Sequence, residues 1–213
     1  MQPYYVCNIN SFILYQKFKG GISMKALCIN GSPRTRGSTA CILENIQKGL
    51  EEVGVFVKYY CLGEVNINYC KGCKECYKEG ICIQHDDMDK IIADFKESDI
   101  VVIGTPDYWG DVSGQLKVFF DRCTPYANTN ANRVQMCKKR YGISVSVREG
   151  TTERENTVIV NSIEHFFGHM EVEPIGKITV TQTSNLEDLV RKHREKIIEA
   201  YQLGKDIHNR ISG

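Results

Sequence analysis

At 213 residues the chain suits one domain, with enough length to bury about two-thirds or more of its unfolded surface. Its 27 basic and 26 acidic residues nearly cancel and no block of like charge stands out, so nothing argues for nucleic acid or an anionic membrane surface as partner. No apolar run approaches the ~20 residues of a membrane helix, and there is no internal repeat or low-complexity tract.

Residues 1–23, MQPYYVCNINSFILYQKFKGGIS, have a short apolar patch but no proper apolar core and no A-x-A site, which makes a poor signal peptide. Two readings stand side by side. Either this is an N-terminal arm, or Met24 is the native start. On the second reading, Lys19-Gly20-Gly21 back-translates to a purine-rich stretch like a bacterial ribosome-binding site. The remaining residues, 24–213, read as a single domain.

Strand and helix signals then alternate. Lys25–Asn30 is a short apolar strand ending in a Gly-Ser-Pro turn. Thr39–Val53 has helical periodicity through Ile42, Ile46 and Leu50, and Gly54 closes it before a second strand at Val55–Cys61. A cysteine-rich loop, 66–86, follows. Asp86 and Asp87 read as the cap of a helix running to about Ser98, with His85 exposed. Ile100–Gly104 is apolar throughout, as expected of a strand covered on both faces. Ser113–Tyr126 is the next helix, Arg140–Val147 a fourth strand, Asn156–His169 a fourth helix and Val172–Thr181 a fifth strand. One long charged helix is expected from Asn185 onward. Five strands with helical crossovers predict a doubly wound parallel sheet with helices on both faces and ligands at the carboxyl ends of its strands.

The loop Gly31-Ser32-Pro33-Arg34-Thr35-Arg36-Gly37-Ser38-Thr39, between strand one and helix one, suits a phosphate. Small residues let backbone N–H groups approach, hydroxyls donate, and the helix N-terminus supplies positive potential. It lacks the Lys of a P-loop and the G-x-G-x-x-G of a dinucleotide site. A polar turn with an N-cap is the plainer alternative. For Tyr108 and Trp109, composition alone suggests ordinary packing at the end of the sheet.

Ten cysteines without an export signal point to a reducing, cytoplasmic setting. Cys7, Cys28, Cys41, Cys61, Cys123 and Cys137 are scattered among apolar neighbours and read as small buried hydrophobes. Cys70, Cys73, Cys76 and Cys82 are crowded as C-x2-C-x2-C-x5-C. Such a tight single run favours an iron–sulfur cluster over zinc, whose sites more often pair separated knuckles, without excluding zinc. Disulfides are the weakest option.

The G-S-P-R-x-x-G-S-T stretch, Thr105-Pro106-Asp107-Tyr108-Trp109-Gly110, and Gly114 to Arg122 together resemble the NAD(P)H-dependent FMN reductase family, from Met24 to about Val147. The resemblance implies a flavodoxin-like fold, FMN as cofactor, and a homodimer or homotetramer with its site near the subunit interface. By position, Ser32, Arg34, Ser38 and Thr39 would hold the FMN phosphate, and Pro106, Tyr108, Trp109 and Gly110 would lie along the isoalloxazine ring. Asp121-Arg122 reads as a structural ion pair or dimer contact. One departure stands out: the family's Gly-rich turn after strand four is here Val147-Arg148-Glu149-Gly150-Thr151-Thr152. Arg148 is then either near the flavin or a substrate anion, or solvated.

The cysteine spacing, followed by His85-Asp86-Asp87-Met88, is similar to the iron–sulfur flavoprotein branch of that family. This implies a 4Fe–4S cluster on Cys70, Cys73, Cys76 and Cys82, fed by ferredoxin or a similar donor and passing electrons to FMN and a small acceptor. The cofactors would carry the reaction, with no catalytic side chain. Two alternatives remain at this point. One is a cluster-free NAD(P)H-dependent FMN, quinone or nitro-compound reductase. The other is a non-enzymatic redox-sensing or zinc-binding protein.

Overall fold

The first strand, β1 (Lys25–Asn30), is buried from its second residue onward. In the computed structural model, residues 24–136 and 138–212 are described, so the 1–23 segment with Cys7, and Cys137, lie outside them. Parallel pairing on both sides of β1 builds one five-stranded sheet from β2 (Phe56–Cys61), β3 (Ile100–Pro106), β4 (Arg140–Val147) and β5 (Val172–Val180). Its order is β2-β1-β3-β4-β5, the flavodoxin-like arrangement expected from the alternating pattern. The order reverses between β1 and β3, which opens a crevice beyond their carboxyl ends.

Side chains alternate across the sheet with period two, so one strand feeds two cores. Leu27, Ile29, Val101 and Ile103 face one layer, built by α3 (Met88–Glu97), α4 (Gly114–Arg122) and α5 (Glu153–His169). Ala26, Cys28, Ile100 and Val102 face the other, built by α1 (Ser38–Glu52), α6 (Leu186–Lys192), α7 (Arg194–Lys205) and α8 (Ile207–Ser212). Cys28, Cys41, Cys61 and Cys123 are all buried thiols outside any disulfide, as small hydrophobes should be.

Three boundaries depart from the sequence pattern. The loop read as irregular contains a single helical turn, α2 (Cys76–Glu79), closed by Gly80 in the left-handed region at φ 72°. The helix expected to run to Tyr126 ends at Arg122 and passes into a 3-10 turn at Thr124–Tyr126, because Pro125 cannot donate to a continuing helix. The single C-terminal helix is three helices, broken at Asp206 and, before that, interrupted at His193, which leaves the helical region at φ −135°.

That interruption follows from how α7 meets α1. Gly49 and Gly204 bring the two backbones together, and a Cβ on Gly204 would stand 2.3 Å from the carbonyl oxygen of Ile46. The close crossing sets the course of α7, while Leu189 of α6 must still reach the same core. One straight helix cannot satisfy both. Gly204→Ala is accordingly expected to destabilise by about 1–3 kcal/mol despite the better helix propensity of Ala. Gly168→Ala, whose Cβ would meet nothing within 4 Å, should be neutral or slightly stabilising. Urea midpoints of the two variants check the contrast.

Candidate functional site

The crevice at the β1/β3 reversal is built from three loops. In the first, Asn30 is buried and its Oδ1 accepts from the Ser32 amide at 2.9 Å, while Ser32 Oγ accepts from the Arg34 amide at 3.1 Å. Both expected phosphate residues on this side therefore shape a tight turn. The Arg34 guanidinium reaches across to donate to the Ser184 carbonyl at 3.0 Å, so the loop is tied to the connection between β5 and α6. The turn delivers the chain to α1, whose N-cap Gly37 makes no side-chain cap and whose first turn carries no acidic residue. Here Ser38 and Thr39 are buried, and the Ser38 hydroxyl has no hydrogen-bond partner. An orphaned buried donor at an uncapped helix N-terminus is what an anion would satisfy.

The second loop follows β3. Thr105 Oγ1 accepts from the Ser113 amide at 3.1 Å, and Ser113 Oγ both donates to the Gly31 carbonyl at 2.6 Å and caps α4 through Leu116 N. The two loops are thus fastened to each other. Beyond them, Tyr108 pairs with Asp111 around a tight turn in which Trp109 (φ 60°) and Gly110 (φ 74°) are both left-handed. Left-handed backbone is costly for a Trp. Trp109 is also fully exposed and Tyr108 half-exposed, so ordinary packing within the chain does not account for the pair. Pro106 sits half-buried at the root of the loop.

The third loop follows β4 and excludes one of the two readings of Arg148, the solvated one. Its side chain is neither solvated nor an uncommitted cation. It is buried, 3.0 Å from Asp107, hydrogen-bonded to Glu155 and to the Thr152 carbonyl, and folded over Gly150. A Cβ on Gly150 would fall 2.4 Å from Arg148 Nη2, which explains the lone glycine in this turn. Asp107 in turn accepts from the Gly110 amide at 2.7 Å, so Arg148 braces the aromatic turn from behind.

The cysteine loop packs against α4. Asp86 and Arg122 form a bidentate ion pair at 2.6 and 3.1 Å with both side chains almost wholly buried, and Arg122 also donates to the Asn68 and Gln84 carbonyls. Asp121 bonds Lys117 instead. Burial pushes the Asp86 carboxyl up, but the Arg122 guanidinium and the amides of Asn68 and Met88 outweigh it and hold the group well below the usual carboxylate range. The expected cap of α3 is only partly seen: the N-cap Asp87 makes no side-chain cap and its Oδ2 accepts from Asn66 N at 2.7 Å, while Asp86 Oδ1 accepts from the first helical amide, Met88 N, at 3.1 Å. His85 is exposed, beside Asp89.

Within this frame Cys70, Cys73, Cys76 and Cys82 line one hollow of about 30 Å³ beside Arg122 and Pro125. Burial pushes the Cys76 thiol up, and the neighbouring sulfurs of Cys82, Cys70 and Cys73 push it further. Gly72, Lys74 and Gly80 are left-handed, and a Cβ on Gly80 would lie 2.2 Å from the Asn132 carbonyl. Asn130 and Asn132 donate to the carbonyls of Cys76 and Tyr77. Among the described residues, no group of three or more His, Cys, Asp or Glu stands close enough to hold a single metal ion.

The sequence pattern thus located all three loops but missed Asn30, Thr105, Asp107 and the buried bridge of Arg148. Of these, only the Arg in place of a Gly-rich turn carried a visible signal.

The sequence model of NADPH-dependent FMN reductase matches residues 24–185. An iron–sulfur flavoprotein of Archaeoglobus fulgidus is 33% identical over 84% of this chain and 81% of its own length. One from Methanocaldococcus jannaschii is 34% identical over 72% and 75%. Among solved structures, an NAD(P)H:quinone oxidoreductase from Methanothermobacter marburgensis superposes with a TM-score of 0.70 at 17% identity, covering 88% of this chain and 98% of that one.

The buried pair has a pH signature. A carboxyl depressed in the folded state contributes stability that is present above its unfolded pKa of about 3.9 and is lost as pH falls through the folded value. Asp86→Asn should therefore weaken the protein at pH 7 yet flatten the loss of stability below about pH 4. Arg122→Met, which strands a buried carboxylate, should cost roughly 3–5 kcal/mol at neutral pH. Denaturant titrations across pH read both.

Proposed function

The chain belongs to the NADPH-dependent FMN reductase family, in its iron–sulfur flavoprotein branch, and on that premise we propose how its FMN-dependent oxidoreductase chemistry is fed. Electrons arrive singly from a ferredoxin or a similar donor at a 4Fe–4S cluster on Cys70, Cys73, Cys76 and Cys82, and leave by way of FMN to a small acceptor. The observation that carries this reading is that four thiols of one short segment line one hollow, in a loop anchored by the buried Asp86–Arg122 pair. The four thiols come from one tight run rather than from two separated knuckles, which supports a cluster over zinc.

For FMN, the orphaned Ser38 hydroxyl and the uncapped start of α1 support a phosphate there, with Thr39 and the Ser32–Arg34 turn around it. The Pro106–Gly110 turn, braced by Arg148 through Asp107, supplies the wall for a flat ring, and its exposed Tyr108 and Trp109 supply aromatic surface. When bound, FMN and the cluster supply the redox chemistry. The chain's own residues bind, orient and shield. An aromatic held outward at such a turn also supports a homodimer or homotetramer with the site near the subunit interface. The cysteine content supports a cytoplasmic setting; no helix among the described residues is long and apolar enough to cross a membrane.

Anaerobic purification followed by iron and sulfide analysis tests the reading. About four of each per FMN are expected. Cys76→Ser should lose iron and sulfide and keep FMN. FMN with neither iron nor sulfide, reduced by NADPH, would make the protein a cluster-free reductase instead; zinc in place of iron, with no turnover, would overturn the enzymatic role of the loop. Ser38→Ala should leave the FMN-free protein as stable or slightly more so, because a buried unpaired hydroxyl is removed. It should also weaken FMN binding about tenfold, as expected for losing a hydrogen bond to a charged group. Thermal melts and fluorescence titration with FMN separate the two effects.

A further inference from the structure

Outside the crevice and the cysteine loop, one group of ligand-type side chains has no part in the chemistry above. His165 and His169 lie one turn apart on α5, in a groove of about 790 Å³ between α4 and α5 that also takes in Asp111, Phe120 and Tyr77. We propose that these two imidazoles form a site for a borderline divalent transition ion of the Zn²⁺, Ni²⁺ or Cu²⁺ kind, with its remaining positions open to water or to a small ligand in the groove.

Spacing is the first support. Histidines at i and i+4 share one face of a helix, the arrangement that places two nitrogens on one metal. Here the two Nε2 atoms stand 3.2 Å apart. With metal–nitrogen bonds of about 2.0–2.1 Å, cis ligands of a square-planar ion lie about 2.9 Å apart and tetrahedral ligands about 3.3 Å. The observed separation falls between the two. The rings meet edge-on at 87° and the two Nε2 atoms share a hydrogen bond; with the His165 proton moved to Nδ1, rotation of the His165 ring alone about χ2, a broad torsion in His, brings its Nε2 lone pair onto an ion faced by His169 Nε2.

The second support is the partner that orients His169. Its Nδ1 lies 3.1 Å from Asn128 Oδ1, and Asn128 Nδ2 donates to the Gly168 carbonyl at 3.1 Å. The amide orientation is settled by that second bond, so Oδ1 accepts and His169 Nδ1 carries the proton. The Nε2 lone pair of His169 then faces His165. Metal-bound histidines are held in this way, by a hydrogen bond from the nitrogen that does not ligate. Asn128 is itself fixed, its backbone N–H donating to the His169 carbonyl at 2.8 Å. His169 also lies in the last turn of α5, where the helix dipole favours a cation. Asp121 lines the same groove but bonds Lys117, and no third ligand joins the pair among the described residues. The coordination sphere is therefore open.

Titrating Ni²⁺ into the FMN- and cluster-loaded protein by calorimetry tests the site. The protein should bind one equivalent that His165→Ala and His169→Ala each abolish or weaken at least tenfold. Asn128→Ala should weaken it about tenfold, the range for loss of an orienting partner. FMN content and reduction should be unchanged in all three, and any Ni²⁺ taken by cysteines is common to all. In NMR spectra of the parent protein, Ni²⁺ should broaden the His165 and His169 ring signals first. Equal stoichiometry and affinity in the double His variant, or broadening confined to His85, His193, His208 or the cysteine loop, would overturn the proposal.

Discussion

A buried ion pair holds the cysteine loop in place. Asp86 and Arg122 are both sequestered from water, and two charges so placed survive only if nearly every donor and acceptor is used. Arg122 therefore gathers the Asn68 and Gln84 carbonyls, and Asp86 gathers the Asn68 and Met88 amides. Two ends of a long loop and the start of α3 converge on the end of α4. A segment with few apolar residues would otherwise have little to order it. The thiols between those ends inherit their places from this polar knot.

The crevice at the sheet reversal is organised by similar means. Its first two loops are joined by the hydrogen bond from Ser113 Oγ to the Gly31 carbonyl, and the second is held internally by the Ser113 amide donating to Thr105 Oγ1 and the Gly110 amide to Asp107. The guanidinium of Arg148 closes the arrangement, with Asp107 and Glu155 neutralising it in a site too buried for water to do so. This leaves small, polar and backbone groups facing the opening, together with two aromatic rings held outward. Rigidity from behind and polarity in front is the combination that a bound phosphate and flat ring call for.

Much of this was legible along the chain because it is local. Strands and helices carry local signals: Ile100–Val102 is a continuous apolar run, as a strand covered on both faces should be, and Ile42, Ile46 and Leu50 recur at helical spacing. The phosphate-type loop carried its own signal in small and hydroxyl residues before a helix. The helix breaks after Arg122 and at His193 were less visible, the first marked only by Pro125 and the second by no local residue preference at all.

By itself, the sequence determined the fold class, the three loops at one end of the sheet, and the crowding of four cysteines in one segment, since each depends on residues near one another in the chain. Only the tertiary structure decided the partners of the charged groups. Arg122 pairs with Asp86 rather than its neighbour Asp121, and Arg148 with Asp107 and Glu155, across separations that no local pattern encodes. The same holds for His165 and His169, whose spacing is plain in the chain but whose shared orientation depends on Asn128, 41 residues from His169. Burial is the physical reason: a charge or ring nitrogen shielded from water must find its partner within the fold, and which one it finds is set by packing.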